Sequence, residues 1–275
     1  VMTMYQFYIP STGTAEAERA ADSLERGILS TGEIVENFET KFANMCGLNE
    51  AIAVTSGSVA LELAIRASTL SEGDRVIVSP FNCTAVLYAI QRSGLEPVFV
   101  DIDPVTFNLD TGAVATTLKE ASAIDGLLLT PTYGLPEETE SISRHAEEHD
   151  LTVINDFCQA PGARINGKRC STVGDVGICS FGATKPLTTG EGGMVVTNDT
   201  TIAESVRQAR SNSGVDRKEP PTNVKLSDIE ASIGIEQLSR YTDLVERRRA
   251  VATAYHETLP AAVAPQSTPA DRTHV

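Results

Sequence analysis

Short apolar runs alternate with amphipathic segments along most of this 275-residue chain. The runs have the length and composition of buried strands, which we predict at 51–55, 75–78, 97–101, 126–130, 151–155 and 193–197. The amphipathic segments predict helices at 15–26, 34–46, 59–67, 85–92 and 138–149, with one or two more within 226–259. This alternation predicts an α/β fold of three layers, α/β/α, around a mostly parallel sheet.

Polar residues that directly follow a strand are the first candidates for function, because ligands of such sheets bind at the carboxyl ends of the strands. Asp156 follows the predicted strand 151–155, and Gln159 comes three residues later. The carboxylate of Asp156 could bind a protonated ring nitrogen, with Gln159 at the ring, or it could cap the next turn.

Lys185 stands in a segment rich in Gly, Thr and Ser, five residues after Ser180, in a chain with only six lysines. Lysines usually lie on the exposed surface. A lysine on such a loop and an acid at a strand end also fit pyridoxal phosphate (PLP) chemistry. The amine would hold the cofactor as a Schiff base, the carboxylate would keep the pyridine nitrogen protonated, and Ser180 would donate to the phosphate.

A turn of small residues, Ser56-Gly57-Ser58, joins the first predicted strand to the helix 59–67. The free N–H groups and positive dipole end of a helix N-terminus bind phosphate, and a glycine there permits close approach. An ordinary serine N-cap would have the same sequence. The chain has no G-x-G-x-x-G motif, so the sequence does not support a dinucleotide site.

Charge and composition exclude several classes of partner. The formal net charge of −15 argues against nucleic acid binding, and no apolar run approaches the ~20 residues of a membrane span. Five cysteines without a C-x-x-C pair fit free thiols in a reducing compartment, and the first residues do not have the pattern of a signal peptide. We therefore expect a cytoplasmic protein without membrane or nucleic acid partners.

His145 and His149 are one helical turn apart in the predicted helix 138–149. This spacing could place two imidazoles on one metal ion. We expect instead a solvated helix face, and no metal site.

Together these segments resemble the DegT/DnrJ/EryC1/StrS family of PLP-dependent sugar aminotransferases, which have the aspartate aminotransferase fold type I. The matching segments occur in family order and include Thr55-Ser56-Gly57-Ser58-Val59-Ala60-Leu61, Pro97-Val98-Phe99-Val100-Asp101, Asp156-Phe157-Cys158-Gln159-Ala160, Ser180-Phe181, Thr184-Lys185 and Gly190-Glu191-Gly192-Gly193.

The resemblance implies a role for each candidate residue. Lys185 would form the Schiff base and carry the proton during transfer, Asp156 would pair with the pyridinium, and Gln159 would contact the ring oxygen. Gly57, Ser58 and Ser180 would bind the phosphate. Asn223 resembles the family asparagine that reaches the phosphate of the neighbouring subunit, which implies a homodimer with shared active sites.

The chain departs from the family at several positions. Cys83 occupies the place of the usual aromatic ring that stacks on the cofactor, with Phe81 as a nearby ring. Gly182 stands where histidine is common, and Lys225 replaces the usual arginine. Family members are also longer, so the resemblance implies a large PLP-binding domain at 1–240. Residues 241–275 would form a connecting helix and the start of a C-terminal small domain that is largely missing.

The activity implied by the resemblance is transfer of an amino group from L-glutamate or glutamine to a keto group of a nucleotide-linked sugar or a related cyclic ketone. A PLP-dependent or pyridoxamine phosphate-dependent keto-sugar dehydratase is the alternative on the same fold. The family's dehydratases have histidine in place of the lysine, so Lys185 argues against this alternative. A non-catalytic protein that keeps the fold for dimerisation or ligand sensing is the second alternative.

Overall fold

A computed structural model describes residues 9–27, 29–121, 123–211, 223–260 and 262–266. The helices are α1 Thr14–Arg26, α2 Glu33–Cys46, α3 Gly57–Ala67, α4 Thr84–Arg92, α5 Thr111–Glu120, α6 Thr139–His149, α7 Thr200–Arg210, α8 Asp228–Ser239 and α9 Tyr241–Thr258. The strands are β1 Glu50–Val54, β2 Arg75–Val78, β3 Glu96–Phe99, β4 Gly126–Leu129, β5 Thr152–Asp156, β6 Arg164–Ile165, β7 Lys168–Arg169, β8 Val176–Ser180 and β9 Gly193–Thr197.

The main sheet has seven strands among the described residues, in the order β1-β9-β8-β5-β4-β2-β3. The neighbours from β8 through β5, β4 and β2 to β3 run parallel, whereas β9 pairs antiparallel with both β1 and β8. The prediction of a mostly parallel α/β sheet is therefore confirmed. The short strands β6 and β7 form a separate hairpin.

Helices cover both faces of the sheet because successive strand residues point to opposite faces. In β1, Ile52 and Val54 belong to a core that also contains apolar residues of α3, α4 and α7. Ala51 and Ala53 belong to the opposite core, with α2, α8 and α9. Residues of α5 and α6 extend that second face over β2, β4 and β5. This arrangement gives the three layers that the alternation predicts.

A nearly buried ion pair connects α2, β1 and α7. Glu39 on α2 accepts hydrogen bonds from the Ala53 N–H, at 2.8 Å, and from the Arg210 guanidinium. Arg210 also donates to the Ala53 carbonyl oxygen at 3.0 Å. Both charged side chains are close to 90% buried, so each depends on the other for compensation of its charge.

Five elements of the structure, among them the two-residue strands β6 and β7, lack a clear pattern in the sequence. Helices α5 and α7 were not predicted, and neither was the central strand β8. Gly177 weakens the strand signal of β8 because glycine has low β-propensity. In the fold it is required, since a Cβ built there would lie 2.7 Å from the ring of Phe157. The segment predicted as one or two helices contains two, α8 and α9.

The expectation of a solvated face for the two histidines of α6 is wrong for His145. His145 is only 8% exposed, like Ile142 one turn earlier, whereas His149 is exposed. Both residues lie on one face of α6, but His149 is the last residue of the helix and stays in solvent where the helix ends.

The polar segment 213–223, with Pro220-Pro221, predicts a loop, and the segment 260–275, rich in Pro and Ala, predicts no clear element. Both segments lie mostly outside the described residues. Of the predicted loop 213–223, only Asn223 is described, and of the tail 260–275, residues 260 and 262–266. Among the helices that the structure describes, none combines the length and hydropathy of a membrane span.

Candidate active site

Polar residues from distant parts of the chain meet at the carboxyl edge of the sheet. Asp156 ends β5 and Ser180 ends the adjacent strand β8. Gly57 begins α3 directly beyond β1, and Lys185 lies in the loop that follows β8. This edge is where a doubly wound sheet binds its ligand, and the structure brings these four candidates to it.

The start of α3 and the end of β8 form a narrow cradle. Ser56 is the N-cap of α3 and accepts a hydrogen bond from the Val59 N–H at 3.2 Å. A Cβ built on Gly57 would lie 2.5 Å from the Ser180 Cβ and 2.9 Å from its Oγ. The first helical N–H groups and the Ser180 hydroxyl therefore approach one another across a gap that only glycine leaves open. Such a gap, at the positive end of a helix dipole, suits a phosphate.

A second glycine brings two backbones together beneath this cradle. A Cβ on Gly193, the first residue of β9, would lie 2.2 Å from the Ser56 carbonyl oxygen. Gly193 pairs with Val54 and with Ser180 across the two antiparallel ladders. The contact places the N-cap of α3 beside the end of β8. It also explains why the last residue of the Gly190-Glu191-Gly192-Gly193 segment is a glycine, since a side chain at position 193 would collide with Ser56.

Lys185 and Asp156 interact electrostatically at this edge. Burial raises the pKa of Asp156, although a hydrogen bond from the Cys158 thiol and the charge of Lys185 act in the opposite direction. Burial lowers the pKa of the partly buried Lys185 amine, but the nearby Cys158 and Asp156 groups outweigh burial, so its pKa is raised overall. The site thus joins an amine to a desolvated acid that is 7% exposed.

Gln159 lies in the turn beyond β5, three residues after Asp156. Its Oε1 accepts a hydrogen bond of 2.9 Å from the Tyr133 backbone N–H. Because this contact assigns the oxygen end of the amide, the nitrogen end is the one that can donate to an anionic oxygen. A hydrogen bond donor near Asp156 suits the phenolic oxygen of a pyridine ring.

Three aromatic rings, which sequence reasoning did not bring together, stand beside Gln159. Phe81, Phe107 and Tyr133 make mutual edge-to-face contacts, with centroids 6.2 to 6.4 Å apart. Phe81 and Tyr133 are nearly half exposed, and the backbone of Phe107 and Tyr133 has positive φ angles of 61° and 52°. The rings come from three separate loops, so no local sequence signal could have predicted the cluster.

Cys83, the residue at the expected stacking position, is exposed at the start of α4. It is among the groups whose charge acts on Lys185, which places it at the same edge of the sheet. Phe81 lies two residues before it and belongs to the aromatic cluster.

Asn223 is exposed near the cradle. The neighbouring Val224 carbonyl oxygen accepts a hydrogen bond of 3.0 Å from the Thr55 N–H, just before the Ser56-Gly57-Ser58 turn. Among the described residues, no hydrogen bond reaches the Asn223 side chain, so it stays a candidate by position.

Fold and site together define an α/β protein with a lysine and a buried acid at the carboxyl edge of its sheet. The family model described as the DegT/DnrJ/EryC1/StrS aminotransferase family matches residues 10–275. The chain belongs to this family. The predicted family, the prediction of an enzyme, and the prediction of a PLP-dependent aminotransferase are thereby confirmed.

Individual relatives support this assignment. The chain is 33% identical over 258 residues to GDP-perosamine synthase of Escherichia coli O157:H7, which covers 92% of this chain and 70% of that protein. It is 30% identical over 275 residues to dTDP-4-dehydro-2,3,6-trideoxy-D-glucose 4-aminotransferase of Saccharopolyspora spinosa, covering 93% of this chain and 71% of that protein.

A solved structure confirms the fold. The aminotransferase TlmJ of Streptoalloteichus hindustanus superposes with a TM-score of 0.90 at 27% identity, covering 98% of this chain and 77% of the other. The chain spans between 62% and 71% of the lengths of eight curated relatives that it matches.

The cofactor of the family, PLP, fits the residues at this edge. The gap between Gly57 and Ser180 exists because Gly57 has no Cβ, and such a gap at a helix N-terminus suits a phosphate. The buried Asp156 carboxyl and the Lys185 amine supply the acid and the nucleophilic amine that a pyridine aldehyde needs.

Proposed function

We propose that this chain carries the PLP-binding part of an aminotransferase that passes an amino group from L-glutamate or glutamine to the keto group of a nucleotide-linked sugar. The observation that carries the proposal is the placement of Lys185 and the buried Asp156 carboxyl at the same carboxyl edge of the sheet, where the charge of each acts on the pKa of the other. An amine and a desolvated acid in this relation are what PLP chemistry requires of a protein.

Each candidate residue has a part that follows from its position. PLP, when bound, supplies the electron sink that accepts the electron pair of the broken carbon–hydrogen bond. Lys185 would hold the aldehyde group of the cofactor, and its amine would take the proton from the α-carbon of the amino donor. Asp156 would accept a hydrogen bond from the protonated pyridine nitrogen, and that positive charge would compensate the buried carboxylate, whose pKa burial otherwise raises.

The remaining residues bind and orient the cofactor. The N–H groups of Gly57 and Ser58 and the Ser180 hydroxyl hold the phosphate, and the Gln159 amide nitrogen donates to the ring oxygen. Together with Asp156 these contacts would orient the cofactor relative to Lys185.

The acceptor class is proposed from the names of the relatives. One relative is named for GDP-perosamine synthesis and another for amino transfer to a dTDP-linked 4-dehydro sugar. A nucleotide-linked keto sugar is therefore the acceptor that we propose here.

We also propose the domain division and the assembly that the sequence predicts. Residues 1–240 form the large PLP-binding domain, and residues 241–275 begin a small domain. Two copies form a cytoplasmic homodimer in which Asn223 reaches the phosphate in the neighbouring subunit. The exposure of Asn223 beside the cradle supports this assembly. Mutation to alanine should then weaken PLP binding without an effect on monomer stability.

The dehydratase alternative is disfavoured by a single residue. An amino group returned to the acceptor requires a base that both takes and gives the proton, and Lys185 supplies it. A keto-sugar substrate tested with and without glutamate separates the two activities, because only the aminotransferase gives an amino sugar.

The visible absorbance spectrum of the protein with PLP, before and after L-glutamate, tests the proposal. We expect an imine band that disappears on addition of glutamate as the pyridoxamine form appears. Reduction with borohydride should fix the cofactor on Lys185, as peptide mass spectrometry detects. Lys185→Ala should lose the band, whereas Lys41→Ala, on the exposed side of α2, should keep it. Binding of PLP without amino transfer from any donor would favour the non-catalytic alternative.

A further inference from the structure

The side chain of Gln266, near the end of the described residues, is inserted between two loops of the large sheet. It is only 7% exposed. Its Nε2 donates to the Thr106 carbonyl oxygen at 2.5 Å and to the Thr132 carbonyl oxygen at 3.0 Å. These loops follow β3 and β4, so one amide group from the C-terminal segment connects both of them at the edge that carries the active site.

Both carbonyl groups stand directly before a residue of unusual backbone conformation. Phe107 and Tyr133 have φ angles of 61° and 52°, the left-handed region that bulky side chains rarely adopt. Such conformations persist only where the surrounding contacts hold them. Gln266 supplies one contact to each of the two turns.

The second turn is held from its other side as well. The Thr132 N–H donates to Asn108 Oδ1 at 2.8 Å, and the Asn108 amide nitrogen donates to the carbonyl oxygens of Leu135 and Pro136. Asn108 and Thr132 are both about 95% buried. The two peptide groups of Thr132 are therefore fixed by two amide side chains, one from the loop after β3 and one from the C-terminal segment.

The turn at Thr132 and Tyr133 orients Gln159, a residue of the proposed cofactor site. The Tyr133 N–H belongs to the same peptide group as the Thr132 carbonyl that Gln266 binds, and it donates to Gln159 Oε1 at 2.9 Å. Because this hydrogen bond uses the oxygen end of the Gln159 amide, the nitrogen end is the one that would donate to the ring oxygen of PLP.

We propose that Gln266 is a positioning residue that sets the orientation of Gln159 toward PLP, through Thr132 and Tyr133. The proposal rests on the proposed function insofar as Gln159 contacts the cofactor. It links the C-terminal segment of the chain to the cofactor site through three successive hydrogen-bonded groups, with no contact of its own to the ligand.

Gln266→Met is the test variant, because methionine has similar length and shape but no N–H donor. Loss of the two hydrogen bonds removes the side-chain donor from both carbonyl groups, and the Thr132 carbonyl oxygen keeps only the Leu135 N–H, at 3.1 Å, so we expect the dissociation constant for PLP to rise about fivefold. Gln208→Met is the matched control. Gln208 is exposed on α7 and donates only to Glu204 among the described contacts, so PLP binding should not change.

A double-mutant cycle separates positioning from general destabilisation. If Gln266 acts through Gln159, Gln266→Met should have no further effect on PLP binding in a Gln159→Leu background. An equal effect in both backgrounds would overturn the proposal, because it would mean that Gln266 acts independently of Gln159. If Gln266→Met fails to fold, Gln266→Ala takes its place in the cycle, since it removes both N–H donors without placing a charge against the two carbonyl oxygens.

Amide hydrogen exchange supplies a measurement that does not depend on the cofactor. Protection of the Tyr133 amide should fall about tenfold in Gln266→Met, since the turn that presents it is released. Unchanged protection would contradict the proposal even if PLP binding weakened. If wild-type protein did not bind PLP, the proposed function would fail, whereas this exchange measurement would still decide the role of Gln266 in the turn.

Discussion

Gly57 and Ser180 approach so closely that position 57 has no room for a side chain. A Cβ there would lie 2.5 Å from the Ser180 Cβ, nearer than carbon atoms in proteins pack. Gly57→Ala should therefore displace the start of α3 from β8, lower the free energy of unfolding by about 1–3 kcal/mol, and weaken PLP binding at least about tenfold. Urea denaturation and absorbance titration with PLP measure the two effects.

Two further variants test the cause of this effect. Gly57→Ala combined with Ser180→Gly removes the colliding Cβ and Oγ, so stability should recover while PLP binding stays weak, because the hydroxyl donor is gone. Gly13→Ala, where a Cβ would meet no atom within 4 Å, should leave PLP binding unchanged. Normal PLP binding by Gly57→Ala would mean that the gap does not hold the phosphate.

Asp156→Asn should lower the pKa of Lys185. The Asp156 carboxylate is one of the groups that hold this pKa above its usual value against the effect of burial. A neutral amide removes that attraction but leaves the desolvation. NMR titration of ¹³C-methylated lysines in the cofactor-free protein should show the Lys185 signal moving to lower pH. Asp243→Asn, on the exposed face of α9, is the control and should leave the Lys185 titration unchanged. If Asp156→Asn also left it unchanged, the carboxylate of Asp156 would not act on the pKa of Lys185.

Glu137 should make the protein less stable as the pH rises. Burial raises its pKa from 4.5 to about 8, although the backbone N–H groups of Thr130 and Leu109 act against this shift. Between pH 4.5 and about 8 the folded state keeps a proton that the unfolded chain releases. The contribution to stability is therefore complete below pH 4.5 and falls with rising pH, by at most about 1.4 kcal/mol per pH unit.

Glu137→Gln should remove this dependence. Urea denaturation at several pH values between 5 and 8 should find a variant whose advantage over the wild type grows with pH. Glu138→Gln, which changes the exposed neighbouring glutamate, should follow the wild-type curve. Parallel curves for Glu137→Gln and the wild type would mean that Glu137 ionises normally in the folded protein.

The Arg210–Glu39 pair should be far more costly to break than an exposed one. Arg210→Met leaves the Glu39 carboxylate nearly buried without its cation, so we expect a loss of about 3–5 kcal/mol in unfolding free energy. Arg92→Met removes a partner of Glu62 at a position where the arginine is 67% exposed, and should change stability by less than about 1 kcal/mol. Adding Glu39→Gln to Arg210→Met should restore part of the stability. A similar small loss for both single variants would refute the contribution assigned to burial.

Local sequence patterns were sufficient for most elements of the fold. The predicted strands 51–55, 75–78, 126–130, 151–155 and 193–197 match β1, β2, β4, β5 and β9 within one residue at each end. Their apolar runs identify them because each strand is buried on both faces. The strand β8 was not predicted, because Gly177 has a weak strand propensity. The fold requires glycine there because a side chain would collide with the Phe157 ring.

The sequence by itself determined the α/β class and the candidate residues Lys185, Asp156, Gly57, Ser58, Ser180, Gln159 and Asn223, through periodicity and family resemblance. Only the tertiary structure decided which residues touch. The Gly57–Ser180 gap, the Tyr133–Gln159 hydrogen bond and the insertion of Gln266 all join segments far apart in the chain. Such contacts depend on the order of strands in the sheet, which packing on both faces selects and local propensity does not encode.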